Sequence, residues 1–442
     1  MNQSSSQNVI VIAARWVVPI RPENTVLENH CIVVKDDIII DIIPIEHISV
    51  SYPNATLIKR PNHVLMPGLV NAHTHSAMSL LRGIADDLPL MEWLNNHIWP
   101  VEAEHVGDAF MRDGVELAIG EMLLSGTTCF NDMYFFPNIV AETAQKHGMR
   151  AVVGLIVIDF PSAWASNADE YFSKGIDVQD QCKQLPLVTT AMAPHAPYTV
   201  NDDNLTRTRV LADELVVPVH MHVHETEHEV QESQNMLNMR PIERLQKLGL
   251  LNARLLAVHM TQLNDDEISA IADNGVNVIH CPESNLKLNS GYCPVHQLIE
   301  SGVNVALGTD GAASNNDLDM FGEMQTAALI AKTVANDATA LPAKTVLEMA
   351  TINGAKALGL EDKIGSIEVG KQADLIAVDL DHLSTQPVYD PIAQLVYAVS
   401  RQQVSDVWVA GKHQVSNHEL QHMDHAQLIH TAQQWAAKIK KN

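Results

Sequence analysis

Apolar positions follow two different rhythms along this chain. Toward both ends they fall in short β-branched runs broken by turn residues. Cys31-Ile-Val-Val-Lys-Asp-Asp-Ile-Ile-Ile predicts a hairpin, two apolar strands folded about Lys-Asp-Asp. The rest of residues 8–66 predicts further short strands. Residues 364–411 do the same, in Ile364-Gly-Ser-Ile-Glu-Val-Gly-Lys-Gln-Ala-Asp-Leu-Ile-Ala-Val-Asp and in Val404-Ser-Asp-Val-Trp-Val-Ala-Gly-Lys. Two strand-rich ends around a different middle predict a small β-sandwich domain assembled from residues 1–66 and 364–420, with a C-terminal helix or tail over 421–442.

The middle, residues 67–363, alternates. Apolar β-rich runs end near residues 72, 131, 158, 193, 223, 259, 280 and 309, with helix-like segments between them such as Asp108 to Leu124 and Pro241 to Leu248. Eight strands alternating with helices predict an α/β fold, a (β/α)8 TIM barrel. Most runs stop at a residue capable of chemistry: His73 and His75, Asp132, Asp159, His195, His222 with Glu225, His259, His280 and Asp310. In such a barrel all strand ends meet on one face, where active sites sit.

Composition narrows the partners. The formal net charge of -25 disfavours nucleic acid and anionic membrane surfaces. Cysteines at 31, 129, 182, 281 and 293 form no CxxC pair, the pattern of reduced cytoplasmic thiols. The first residues lack the layout of a secretion signal, and apolar stretches such as Ala151 to Ile158 are too short to span a bilayer. A soluble, cytoplasmic protein is expected. Of the 22 histidines, His413, His418, His422, His425 and His430 read as a solvated tail.

Four segments carry candidate chemistry. In Pro67-Gly-Leu-Val-Asn-Ala-His73-Thr-His75 the two histidines sit two apart, so a strand would aim both at one ion. The bare His-x-His pair is expected about once by chance at this histidine content, and its weight comes from closing the first barrel strand. In Val219-His220-Met-His222-Val-His224-Glu225-Thr226 two His-x-x-Glu readings exist, His222 with Glu225 and His224 with Glu227, and geometry does not choose. His259 ends Leu256-Ala-Val, where a lone histidine is commonly structural. Asp310, in Ala306-Leu-Gly-Thr-Asp-Gly-Ala-Ala-Ser-Asn-Asn, is either a ligand beside close-approaching backbone or a helix N-cap. Three histidines and one aspartate suit a zinc shell with a place left for water.

Together these segments resemble the amidohydrolase superfamily, and within it the 5-methylthioadenosine/S-adenosylhomocysteine deaminases, a branch that includes triazine hydrolases. The likeness spans nearly the whole chain. It rests on Pro67 to Ser76, Leu80-Leu-Arg-Gly-Ile-Ala-Asp-Asp-Leu-Pro-Leu, His195-Ala-Pro-Tyr, His222 to Thr226, Ser284-Asn-Leu-Lys-Leu and Leu307 to Asn316 in that order.

The resemblance implies His73, His75, His222 and Asp310 as ligands of one divalent ion per subunit, zinc, with Fe2+ or Mn2+ as alternatives. It favours His222 with Glu225, because the family's glutamate is followed by threonine. It also implies Glu102 and His195 as nucleoside contacts. The fourth barrel strand lacks the lysine of two-metal relatives, which implies a mononuclear site. The expected reaction is hydrolytic deamination of an adenosine-type nucleoside. Asp310 and His259 would take the water proton, Glu225 would act as general acid at the ring nitrogen, and His259 would steady the oxyanion.

Relatives that accept S-adenosylhomocysteine resemble one another in an arginine after Gly-Met-Arg-Ala, where this chain has Leu155. That departure favours 5′-methylthioadenosine or adenosine as substrate. Residues 88–99, with Met91, Trp93 and Trp99, would either wall the substrate or form a packed helix. Alternatives are a deaminase or chlorohydrolase of another ring (guanine, cytosine, s-triazine) or a silent scaffold. A homodimer or higher homo-oligomer is implied by the family.

Overall fold

The computed structural model describes residues 9–440. Eight parallel strands follow one another in sequence order around a barrel: Leu69–Thr74, Thr127–Asp132, Arg150–Val157, Val188–Pro194, Val219–Val223, Leu255–His259, Asn277–His280 and Asn304–Leu307. They match the runs read from sequence closely, because continuous β-branched stretches buried on both faces are what a parallel sheet sheathed in helices demands. Inside, Val70, Ala72, Val152, Ala191, Leu256, Val258, Ile279 and Ala306 pack together. Outward residues of the same strands, such as Leu69, Val153, Met221 and Val305, join the core shared with the helices.

The barrel closes where its last strand meets its first. Asp310 donates its backbone N–H to the His73 carbonyl at 3.0 Å. Buried Asn71 spans the same seam, donating to Thr309 Oγ1 at 2.7 Å and accepting the Thr309 N–H at 3.0 Å. Gly308 makes this approach possible: a Cβ there would lie 2.7 Å from the His73 nitrogen and 3.0 Å from its oxygen.

Strands from both chain ends form a second, mixed sheet of eight. Its middle joins Leu375–Asp379 antiparallel to Thr56–Pro67, which in turn runs through Gly68 into the first barrel strand. The hairpin Leu27–Lys35 and Ile38–Pro44 turns at Asp36, whose φ is 57°. Val11, Ala13, Cys31 and Val33 pack on one face of this sheet, and Ile12, Ala14, Ile32 and Val34 on the other. Apolar residues on both faces at alternate positions explain why this region reads as unbroken β-branched runs.

The C-terminal histidines do not all lie in a solvated tail. His413 belongs to the strand Lys412–Ser416, stacks on Trp408 with ring centroids 4.5 Å apart, and donates to Asp406. His418, His422, His425 and His430 are exposed. The helix His425–Ile439 is anchored by Trp435, which packs edge-on against Phe110 and donates its indole N–H to Asp113 at 2.7 Å. Among the described residues no helix is long and apolar enough to cross a membrane.

A buried ion pair ties the barrel to the second sheet. Arg150, at the foot of the third barrel strand, donates two parallel bonds of 2.9 Å to Asp374, and both side chains are almost fully buried. Asp374 also accepts the Ala410 N–H at 2.7 Å. Asp374→Ala strands a desolvated guanidinium, so it is expected to destabilise by about 3–5 kcal/mol, read as a lower denaturant midpoint. Asp374→Asn, which keeps an acceptor, is expected to cost less.

Candidate active site

The barrel's C-terminal rim gathers four donor groups around one point. His73 Nε2 and His75 Nε2 lie 3.3 and 3.2 Å from Asp310 Oδ1, and His222 Nε2 lies 3.3 Å from His73 Nε2. His259 joins from the sixth strand, its ring stacked on His222 at 5.4 Å. Two overlapping sets, His73–His75–Asp310 and His73–His222–His259, each bring their ligand atoms within 4.8 Å of one another.

The far sides of these groups are already committed. His75 Nδ1 donates to the Met133 carbonyl and His222 Nδ1 to the His195 carbonyl at 2.8 Å. His73 Nδ1 shares a 2.8 Å hydrogen bond with His220 Nε2. Asp310 Oδ2 accepts from Ser284 at 2.7 Å and Ser314 at 3.0 Å. Partners on the outer nitrogens fix the tautomer and leave each Nε2 lone pair facing the common point, the arrangement a divalent ion requires. Burial holds His73 down to about 4 and His222 well below the ordinary imidazole value, so both present the neutral, metal-binding form. Burial pushes Asp310 up, but the imidazoles of His73 and His75 against its Oδ1 outweigh it and hold the carboxyl well below its ordinary value.

Three rim residues have left-handed backbones that residues with side chains rarely adopt: His224 at φ 53°, His259 at 75° and Asp310 at 63°. The turn at His259 matters. Leu255 and Ala257 face the outer core and Leu256 and Val258 the interior, so plain alternation would aim residue 259 outward. The left-handed turn brings it to the site instead. Its Nδ1 bonds Asn285 Oδ1 at 2.8 Å, and its Nε2 lies 3.9 Å from Glu225 Oε2.

Above these groups opens a cavity of about 360 Å³, within the range of small-ligand sites. Glu225, His195, Glu102, Trp93 and Trp99 all line it. Burial raises the Glu225 carboxyl above its ordinary value, partly countered by His259. His195, its Nδ1 3.1 Å from Thr199 Oγ1, is pushed by burial to about 3 and is neutral. Tyr134 donates to Glu102 Oε1 at 2.5 Å, a partner that sequence reasoning missed although it stands two residues beyond a strand end.

Several expectations do not hold in space. Met91 stays outside the cavity: Leu90, Trp93 and Leu94 turn inward from the helix Leu90–Trp93 and its continuation, and Met91, between them, faces a separate surface hollow. Leu155 packs against the outer helix at Gly175, while its strand neighbours Ile156 and Ile158 line the cavity. Asp159 turns away, accepting from the Asn201 N–H and the Asn204 side chain as a loop brace. His280 is buried but does not reach the cavity. Of the two histidine–glutamate readings, His222 and Glu225 face the cavity; His224 bonds the Gln262 carbonyl beneath it.

A model of the amidohydrolase family matches residues 64–413. The 5-methylthioadenosine/S-adenosylhomocysteine deaminase of Teredinibacter turnerae is 50% identical over 426 residues, 96% of each chain. A 5′-deoxyadenosine deaminase of Methanothermobacter thermautotrophicus is 42% identical over 384 residues, 87% of this chain and 89% of its own. The crystal structure of an adenosine deaminase from Xanthomonas campestris with bound zinc superposes with a TM-score of 0.97 at 55% identity, covering 98% of this chain and 99% of the other.

Glu102 gives a pH test. Burial lifts its carboxyl from 4.5 to about 7 despite the hydrogen bond from Tyr134. A raised carboxylate binds its proton more tightly when folded, so its contribution to stability falls as pH rises from about 4.5 to about 7. Glu102→Gln keeps an acceptor for Tyr134 and removes that penalty. The variant's Tm is expected to exceed wild type most above pH 7 and to converge with it below pH 4.5; a pH-independent difference would contradict the assignment.

Proposed function

This chain belongs to the amidohydrolase family, and on that footing we propose that it hydrolyses the amino group from adenosine-type nucleosides with an uncharged 5′ end, 5′-methylthioadenosine foremost. The observation that carries this reading is the pairing of two carboxyl groups in unlike states beside one donor cluster. Asp310 is ionised and Glu225 is pushed toward its protonated form, with His259 close to Glu225.

His73, His75, His222 and Asp310 would hold a zinc ion. When bound, the ion supplies Lewis acidity that makes water nucleophilic near neutral pH. Asp310 accepts a proton from the attacking water through the oxygen facing the cavity, while Ser284 and Ser314 hold its other oxygen. Glu225 gives its proton to the ring nitrogen next to the carbon under attack, which lets that ring accept the electron pair. His259, fixed by Asn285, steadies the oxygen as negative charge develops. Return of a proton to the exocyclic nitrogen breaks the C–N bond, and ammonia leaves with the inosine-type product. Glu102 faces the same cavity and would accept hydrogen bonds from the sugar, and His195 would contact the nucleoside.

The choice of substrate rests on the walls. Among the described residues no lysine or arginine lines the cavity, whose sides are Leu94, Ile98, Trp99, Phe135, Ile156, Ile158 and Phe160. A methylthio or methyl group is at home there. The amino-acid carboxylate of S-adenosylhomocysteine finds no cation, so the preference drawn from position 155 stands on the neighbouring positions instead. The relatives' adenosine-type names favour this over other rings, and the complete donor set disfavours a silent scaffold. Five buried, unpaired cysteines support a cytoplasmic setting.

Glu225→Gln is expected to lower kcat by about 10²–10⁴ with zinc content unchanged, and Asp310→Ala to lower bound zinc itself. In a substrate panel scored by ammonia release, kcat/KM for 5′-methylthioadenosine, 5′-deoxyadenosine and adenosine should exceed that for S-adenosylhomocysteine by about 10-fold or more, the worth of one missing charged hydrogen bond. Parity would sink the argument from the walls.

A further inference from the structure

Buried Glu229 lies one helical turn beyond Glu225 and does not line the cavity. It is the third residue of the helix Glu227–Leu237, whose N-cap Thr226 accepts the Glu229 N–H. In an ordinary capping box a glutamate at this place returns to the N–H of the cap residue itself. Here the carboxylate reaches further back. Oε1 accepts the His224 N–H at 3.1 Å and Oε2 accepts the Glu225 N–H at 2.7 Å. Both amides belong to the left-handed turn, φ 53° at His224, that lifts Glu225 out of the strand.

The opposite side of the same peptide is held as well. Thr261, two residues past His259, places its hydroxyl 2.7 Å from the Glu225 carbonyl and donates its backbone N–H to the His224 carbonyl at 2.9 Å. Gln262 donates to Thr261 Oγ1 at 3.0 Å, leaving the hydroxyl proton for a carbonyl. The Glu225 backbone is thus gripped on its N–H by Glu229 and on its C=O by Thr261, and the second grip comes from the loop that carries His259.

We propose that Glu229 and Thr261 are positioning residues that together set where the Glu225 carboxyl stands against the substrate ring and His259. The proposal rests on Glu225 acting as the proton donor. Neither residue lines the cavity or belongs to the donor cluster. Two buried amides in a strained turn need acceptors, and without the pair the turn relaxes and the carboxyl leaves its place. A misplacement of about 1 Å in a proton donor costs about 100-fold in rate.

The experiment is a double-mutant cycle with zinc content, Tm, kcat and KM measured on every variant. Thr261→Val is nearly isosteric and removes only the hydroxyl; Thr261→Ser restores it. Expected are a fall in kcat of about 10- to 100-fold for Thr261→Val and for Glu229→Ala, with KM and zinc content within about 2-fold of wild type. Thr261→Ser should recover most of the loss. In a Glu225→Gln background the same two changes should lower the residual rate by less than about 2-fold, because residues acting through one group are not additive with its removal.

An equal proportional loss in both backgrounds, or a loss carried by KM or by zinc, would overturn the proposal. Full activity in Glu225→Gln would instead remove the proton donor on which it rests. Should Glu229→Ala fail to fold, the threonine pair alone decides the outcome.

Discussion

The seam between the last and first barrel strands is the constraint on which the site depends. Asp310 is one of four donors, but it is also the residue whose N–H closes the barrel onto the His73 carbonyl. Gly308 admits that contact by having no side chain, and Asn71 braces it from within. Positions 73 and 310 meet where the segment just past the last strand bonds to the end of the first. Donor atoms held on strand ends keep their spacing because moving one means breaking the sheet, and this rigidity is what a preorganised metal site needs.

Much of this was legible in the chain. Eight apolar runs, each ending near a residue able to do chemistry, gave the barrel and most of its rim, since strand alternation and the common polarity of parallel strands leave few other arrangements. Leu155 and Met91 depart from expectation and His259 meets it, each for a local reason, since alternation says which residues share a face only along extended backbone of known register. Leu155 was placed one position off the cavity-facing register. His259 reaches the site through a left-handed turn that no periodicity announces. Met91 sits between inward-facing neighbours on a helix, where a window of apolar residues does not distinguish faces. Tyr134, Ser284 and Asn285 meet Glu102, Asp310 and His259 across 26 residues or more, pairings that no hydrophobic periodicity announces.

The cavity's electrostatics are as one-sided as its walls are apolar. Acidic groups stand around the space, and among the described residues no lysine or arginine lines it. Burial therefore moves the acidic groups upward in pKa unless a specific partner intervenes, which the two rim histidines do for Asp310 and nothing of equal strength does for Glu225. Two carboxyl groups with one intrinsic chemistry are thus shifted in opposite directions by their surroundings.

The second sheet carries a consequence for biosynthesis. Thr56–Pro67 emerges early and leads straight into the barrel, yet its neighbour Leu375–Asp379 follows roughly 300 residues later, which at ribosomal speed is about 15–60 seconds. Through that interval one edge of an apolar strand stays open on the nascent polypeptide. The first barrel strand, with His73 and His75 at its end, waits about 230 residues for Asn304–Leu307. The molecule cannot mature piecemeal from its leading end; the early strands become competent only once Leu375–Asp379 has emerged.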